Sequence, residues 1–269
     1  MRTAPILVVC VAALGVTSMR AGSRAGVPSP VPSVDPAVAE YVPSGAVWKN
    51  LLPGPGMAGW RKPTGEWQMV GQAVQDPADA KKLAVEPGTG TIVNGPKGRT
   101  RNLFTVEAFG DIVAHIEFLV PKESNSGVYF MGRYEIQVFD SYGKKGAYPG
   151  IECGGIYQRW DPKRGKGKEG FEGHSPRVNA SRPPGRWQTF DVVFRAPRFD
   201  AAGKKVANAR FVKVVHNGTV IHENVELTGP TRGAAFNDEQ ATGPLMLQGD
   251  HGPVAYRRIA IVPLAADAR

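Results

Sequence analysis

Cysteine is nearly missing: the 269 residues contain two, Cys10 and Cys153. Cys10 falls inside an apolar N-terminal stretch expected to be removed, so one thiol remains. That excludes an internal disulfide and any cysteine-rich metal site. Long apolar runs are missing too. The only candidate, Ile6 to Val16, is too short and too early to span a membrane. There is no internal repeat, and strand-like runs do not alternate with helical ones, which argues against βα units. Charge is unbalanced, with 33 basic against 24 acidic residues and a net +9. The basic residues are nevertheless thinly spread, except in Lys163-Arg164-Gly165-Lys166-Gly167-Lys168. That run has no interleaved aromatics and reads as a solvated loop, so no nucleic-acid partner is expected.

What is present begins with Met1-Arg2, the apolar stretch, and small residues around Ala21-Gly22-Ser23 and Ala25-Gly26. This is the pattern of a secretory signal peptide over 1–25, which implies a secreted or periplasmic protein with no membrane attachment after processing. A Pro/Ser-rich lead-in over 26–46 carries no periodicity and no expected function. Residues 47–265 are read as one domain, long enough to bury a substantial core. The 33 glycines and 23 prolines point to many turns. The sequence sets no oligomeric state.

Strand-like alternation recurs along that domain: Gly65 to Val74, Leu103 to Phe109, Ile112 to Val120, Gly127 to Met131 and Arg133 to Asp140. It resumes at Trp187 to Arg195 and at Ala209 to His216. There Asn217-Gly218 supplies a strong hairpin signal before Thr219 to Asn224. Gly243 to Gln248 and Val254 to Leu264 complete the set around a Gly249-Asp250-His251-Gly252-Pro253 turn. A helical turn capped by Asp76 is expected between Asp76 and Ala84. Residues 141–184 form a long Gly-rich excursion expected as loops at one rim. The pattern is that of an all-β sandwich.

The central stretch is Tyr134-Glu135-Ile136-Gln137-Val138-Phe139-Asp140. Side chains alternate across a strand, so Glu135 and Gln137 share one face while Ile136 and Val138 face the core. Its polar face carries acceptors suited to a ligand. His115 and His216 are read as structural, and Trp187 as core packing.

Several pieces occur in order: Asn125-Ser126-Gly127-Val128, Tyr134-Glu135-Ile136-Gln137, Gly155-Ile156-Tyr157, Pro184-Gly185-Arg186-Trp187, His216-Asn217-Gly218, Gly243-Pro244-Leu245-Met246-Leu247-Gln248 and Tyr256-Arg257-Arg258-Ile259. Together they resemble the 3-keto-disaccharide hydrolase domain family over roughly Val47 to Leu264. The resemblance implies a concanavalin A-like jelly roll of two antiparallel sheets, in a secreted bacterial protein that cleaves glycosides oxidised at C3. A ketone at C3 acidifies the C2 hydrogen, so a base at C2, donors on the ketone and a proton source for the leaving oxygen suffice. By motif position the resemblance carries over Glu135, Gln137, Tyr157, Gln248 and His251 as the sugar-facing set. Glu135 is the candidate base or metal ligand, although a carboxylate paired with Arg133 or Arg159 would look the same. His251 sits in a Gly-flanked turn, a place where side chains project into a cleft, and an imidazole is the side chain suited to proton transfer. Tyr157 is a candidate donor to the ketone. Gln137 and Gln248 suit sugar hydroxyls, and Arg133, Asp140 and Trp160 complete the candidate substrate-binding residues.

Two other readings compete. Glu135, Gln137 and Asp140 occupy an E-x-D-x-x-E spacing, which concanavalin-like retaining glycosidases place on one bulged strand with two carboxyls about 5 Å apart. A non-catalytic carbohydrate-binding module is the other. A divalent metal held by Glu135 and His251 with Asp140 or Asp250 is a further possibility that no ligand spacing demands.

Overall fold

The structure, a computed structural model, describes residues 32–266 apart from 53 and 55. The expected signal peptide and Cys10 lie outside the described residues. Strands make up nearly all the regular structure, and the one α-helix among the described residues is a single turn, Pro36–Ala39. None of the described helices is long and apolar enough to cross a membrane.

The strands form the expected antiparallel sandwich. The larger sheet runs in the order Thr219–Leu227, Ala209–His216, Gln188–Arg195, Ile112–Leu119, Ala255–Pro263, Leu83–Val93 and Gln68–Gln75, with Lys49–Asn50 paired to Ala255–Pro263. The smaller sheet runs Leu103–Phe109, Gly243–Leu247, Asn125–Phe130, Tyr134–Phe139. Period-two patterning explains the layering. Tyr134, Ile136 and Val138 are fully buried in the core, as are Val128 and Phe130 on the neighbouring strand. Across the interface Phe130 meets Phe194 and Phe211 with ring centroids 5.2 Å apart in both cases. These are the tilted and edge-on contacts that aromatic quadrupoles favour.

Between Leu103–Phe109 and Ile112–Leu119 the chain changes sheets at a corner formed by Gly110 and Asp111. The Asp111 carboxylate accepts from Arg198 at 2.6 Å, from Arg195 at 2.8 Å and from the Ala196 amide at 2.8 Å. Burial opposes its charge, but these donors prevail and hold the carboxyl below its usual range.

Two expectations change. The segment after Asp76 is a bend rather than a helical turn. Asp76 Oδ1 still accepts from the Ala78 amide at 2.8 Å, but the stretch is too short to nucleate helix. The lead-in is not loose from residue 35 onward. Val38 is fully buried among Val113, Val193, Val215 and Val262 on the outer face of the large sheet, and the Asp35 amide donates to Asp191 Oδ2 at 3.1 Å. A valine-rich outer face needs a cover, and this segment supplies it.

Candidate active site

Glu135, Gln137, Tyr157, Gln248 and His251 line one cavity of about 210 Å³ on the outer face of the smaller sheet, together with Asn125, Tyr129, Arg232 and Gly233. Three hollows are larger, about 960, 620 and 410 Å³. The one buried acid among them, Asp111, is paired with Arg195 and Arg198, so size does not locate the chemistry.

Glu135 is the centre of the cavity. Its side chain is 2 % exposed, and no salt bridge reaches it among the described residues. Burial pushes its carboxyl up to about 8; the Tyr129 hydroxyl works the other way, and the negative Asp250 nearby adds to the rise. With its amide oriented by the surrounding acceptors, Gln137 nitrogen faces Ser126 O at 2.7 Å, Glu135 Oε1 at 3.2 Å and Asn125 Oδ1 at 3.3 Å. The strand also makes room for the carboxyl. Gly127 lies on the adjacent strand, and a Cβ there would stand 2.2 Å from Glu135 Oε1.

Each remaining group is held by backbone geometry. The run Gly154-Gly155-Ile156-Tyr157 extends the edge of Tyr134–Phe139: Gln137 N donates to Gly155 O and Gly154 N to Gln137 O, both at 2.8 Å, and Tyr157 N to Glu135 O at 3.3 Å. This brings the Tyr157 side chain beside Glu135. Its hydroxyl pairs with that of Tyr148 at 2.8 Å, and burial, reinforced by this bond, raises its pKa well above the usual phenol range. It therefore stays a neutral donor. Gln248 is fixed by its amide on Gly127 O at 2.9 Å. The turn that follows is pinned by buried Asn94, whose Nδ2 donates to Gly249 O at 3.0 Å and Gly252 O at 2.7 Å, while Oδ1 accepts from Val254 N at 2.9 Å. His251 projects from that turn at the half-exposed mouth, with Nδ1 2.6 Å from Asp250 Oδ1.

Three of the expected substrate-binding residues lie elsewhere. Arg133 ends the hairpin turn and is used up there: Nη2 donates to Asp238 Oδ1 at 2.8 Å, Nη1 to Met131 O at 2.9 Å, and the guanidinium covers Phe236. Asp140 stands at the strand end, where Oδ2 accepts from the Glu123 amide at 2.9 Å and from Lys144 at 3.2 Å. The pairing of Asn125–Phe130 with Tyr134–Phe139 runs in unbroken register, so no bulge turns Asp140 to the face of Glu135. The retaining arrangement therefore has no second carboxyl in place. Trp160 does not line the cavity; the Arg232 guanidinium lies 3.8 Å over its ring.

Tyr129, Asn125 and Arg232 were not among the expected residues. Tyr129 was legible, since it pairs directly with Glu135 across the hairpin. Arg232 had no local signal. Thr231 brings it in by donating to Arg133 O and accepting from the Glu135 amide, at 3.1 and 3.2 Å. Among the described residues no three His, Cys, Asp or Glu side chains form a metal-ligand set. Glu135 and His251, with Asp250 beside them, are the available donors, and a cation there would need water or substrate oxygens to complete its shell.

Comparison with known proteins fits this geometry. A solved structure from Parabacteroides distasonis, described as a proposed glycosyl hydrolase, is similar at 26% identity and TM-score 0.57, covering 81% of this chain and 84% of that one. A second structure of the same description and organism shares the fold at 15% identity and TM-score 0.53, covering 81% of this chain and all of the other. No curated protein matches the chain in sequence. Residues 47–262 match the 3-keto-alpha-glucoside-1,2-lyase-like domain, and the chain belongs to that family.

Proposed function

We propose that this protein is a carbohydrate-acting enzyme that cleaves glycosides carrying a ketone at C3, with Glu135 as the base. The observation that carries the reading is a buried carboxyl, raised to about 8 and without a cationic partner, at the floor of a cavity whose deep end is lined by the neutral donors and acceptors Tyr129, Gln137, Tyr157 and Gln248. A base poised near the working pH suits removal of a C–H proton, whereas a paired carboxylate would be too weak. Glu135 takes the C2 proton, and the C2 electron pair moves toward the C3 carbonyl as an enolate. The Tyr157 hydroxyl, a neutral donor, stabilises the oxygen that gains charge. The enolate then expels the C1 substituent, and His251 at the mouth protonates the departing oxygen. The immediate product is a 1,2-unsaturated 3-ketone; water adding at C1 converts the net reaction from elimination to hydrolysis.

The test offers purified protein a 3-keto-glucoside, the parent glucoside and a polysaccharide, with leaving-group release and binding followed together. Turnover of the keto compound alone supports the proposal. Cleavage of the parent glucoside, or retention of sugar without turnover, overturns it. The proposal also places the enzyme outside the cytoplasm after removal of residues 1–25. N-terminal sequencing of protein recovered from the periplasm or medium reads that directly.

A further inference from the structure

The cavity is too small for a whole glycoside. At about 210 Å³ it falls below the roughly 300–1,000 Å³ of sites that enclose drug-sized ligands, so one sugar ring fills it and the leaving group lies outside. The deep end holds Glu135, Gln137 and Gln248, all buried, while Arg232 and His251 are exposed at the opening. The leaving group therefore meets the rim.

At that rim stands a small two-stranded ribbon, Arg159–Trp160 paired with Gly170–Phe171. Arg232 is locked between it and the cavity. Its amide donates to Gln158 O at 2.8 Å, its carbonyl accepts from the Tyr129 hydroxyl at 3.4 Å, and its guanidinium carbon stands over the Trp160 ring, 3.8 Å from the centroid. No carboxylate among the described residues pairs with it. A stacked guanidinium keeps its in-plane N–H donors free and its charge fixed at any working pH. Beyond Trp160 the tip of the ribbon carries Lys163, Lys166 and Lys168, exposed and without carboxylate partners among the described residues.

We propose that Arg232, mounted on Trp160, forms a leaving-group subsite selective for an anionic substituent, a carboxylate-bearing aglycone above all. This rests on the reaction given above, but its discrimination is measured separately. A guanidinium reads a carboxylate through two parallel N–H bonds, and a neutral amide of the same shape satisfies that fork poorly.

The experiment compares the 4-carboxyphenyl and 4-carboxamidophenyl 3-keto-glucosides, nearly equal in size. Wild type is expected to prefer the carboxylate by about tenfold in kcat/KM, the discrimination one charge-assisted bond supplies. Arg232→Gln should bring that ratio close to one, and Trp160→Leu should reduce it. Salt should raise KM for the carboxylate substrate alone, a readout that needs no variant to fold. A ratio near one in wild type overturns the subsite. So does an unchanged ratio in Arg232→Gln with both substrates slowed alike, which would place Arg232 on the ketone instead. Should neither glycoside be turned over, the reaction reading fails, and saturation-transfer NMR still decides the subsite. Binding of 4-hydroxybenzoate over 4-hydroxybenzamide, lost in Arg232→Gln, supports it; equal binding or none overturns it.

Discussion

Glu135 and Glu117 both leave the core side of their strands, one on the small sheet and the other on the large sheet, yet they lie at opposite ends of carboxyl acidity. Glu117 sits among cations: His115 Nε2 at 3.4 Å, Arg257 Nε at 2.5 Å and Arg258 Nε at 3.5 Å. The His115 bond, against the pull of burial and with help from Arg257, holds Glu117 down at about 2. Burial works against the charge on His115, but Asp191 at 2.6 Å and Glu117 outweigh it and keep that imidazole up at about 9. Glu135 has the uncharged Tyr129, Gln137 and Tyr157 beside it and no cation paired with it among the described residues, and burial prevails. The difference teaches that burial alone does not make a carboxyl basic; burial without a cation does. One cluster fastens the lead-in to the large sheet, and the other group is left free to take a proton.

The sharpest way to break this comparison is Glu135→Gln. Turnover of a 3-keto-glucoside should fall about 10³-fold, the scale of a lost general base, while thermal unfolding begins no earlier than in wild type. Earlier unfolding would make Glu135 structural. The reverse pattern is expected at the other pole. Asp191→Asn removes the charge facing His115 and leaves one acceptor oxygen where His115 and the Asp35 amide now use two, so urea unfolding should show a loss of about 3 kcal/mol with kcat unchanged.

Gly127→Ala sharpens the geometry. The added Cβ meets side chains rather than backbone, Glu135 Oε1 at 2.2 Å and the Tyr129 ring at 2.9 Å, so the strand pairing should survive. The displaced carboxyl should cost about 10² in kcat, as a misplacement near 1 Å does.

The smallest effects are in pH. A base must be ionised, so the acid limb of kcat/KM should climb as pH rises toward about 8 and should track Glu135. Stability has three windows, each with its own sign. Glu135, raised from 4.5, favours the folded state while protonated, and that contribution is lost as pH rises through about 8. His115, raised from 6.5, contributes fully below that value and loses its contribution as pH rises through about 9. Glu117, lowered from 4.5, contributes above that value and loses its contribution as pH falls through about 2. Denaturation midpoints across pH should show Glu135→Gln removing only the first window.

Much of the site could be read from alternation. In Tyr134–Phe139 every second residue is core, so Glu135 and Gln137 had to share the other face, and the hairpin to Asn125–Phe130 set Tyr129 across from Glu135. Asp140 misled because spacing alone does not say whether a strand is bulged; the unbroken register turned it away. Arg133 and Trp160 misled because a charged or aromatic side chain near a site looks the same in sequence whether it meets substrate or another residue. Arg232 and Asn94 were invisible, since each acts through partners more than 60 positions away, Gln158 to Arg232 and Asn94 to Gly249.

The sequence by itself determined a β-sandwich, most of its strands along the chain and the face on which the acid stands. Those follow from period-two patterning and turn residues, which are local. Only the tertiary structure decided that this acid would be buried without a cation, that a turn from the far end of the chain would bring an imidazole to it, and that Arg232 would close the rim. Solvation and pairing depend on what the rest of the chain packs nearby, and no local pattern encodes them.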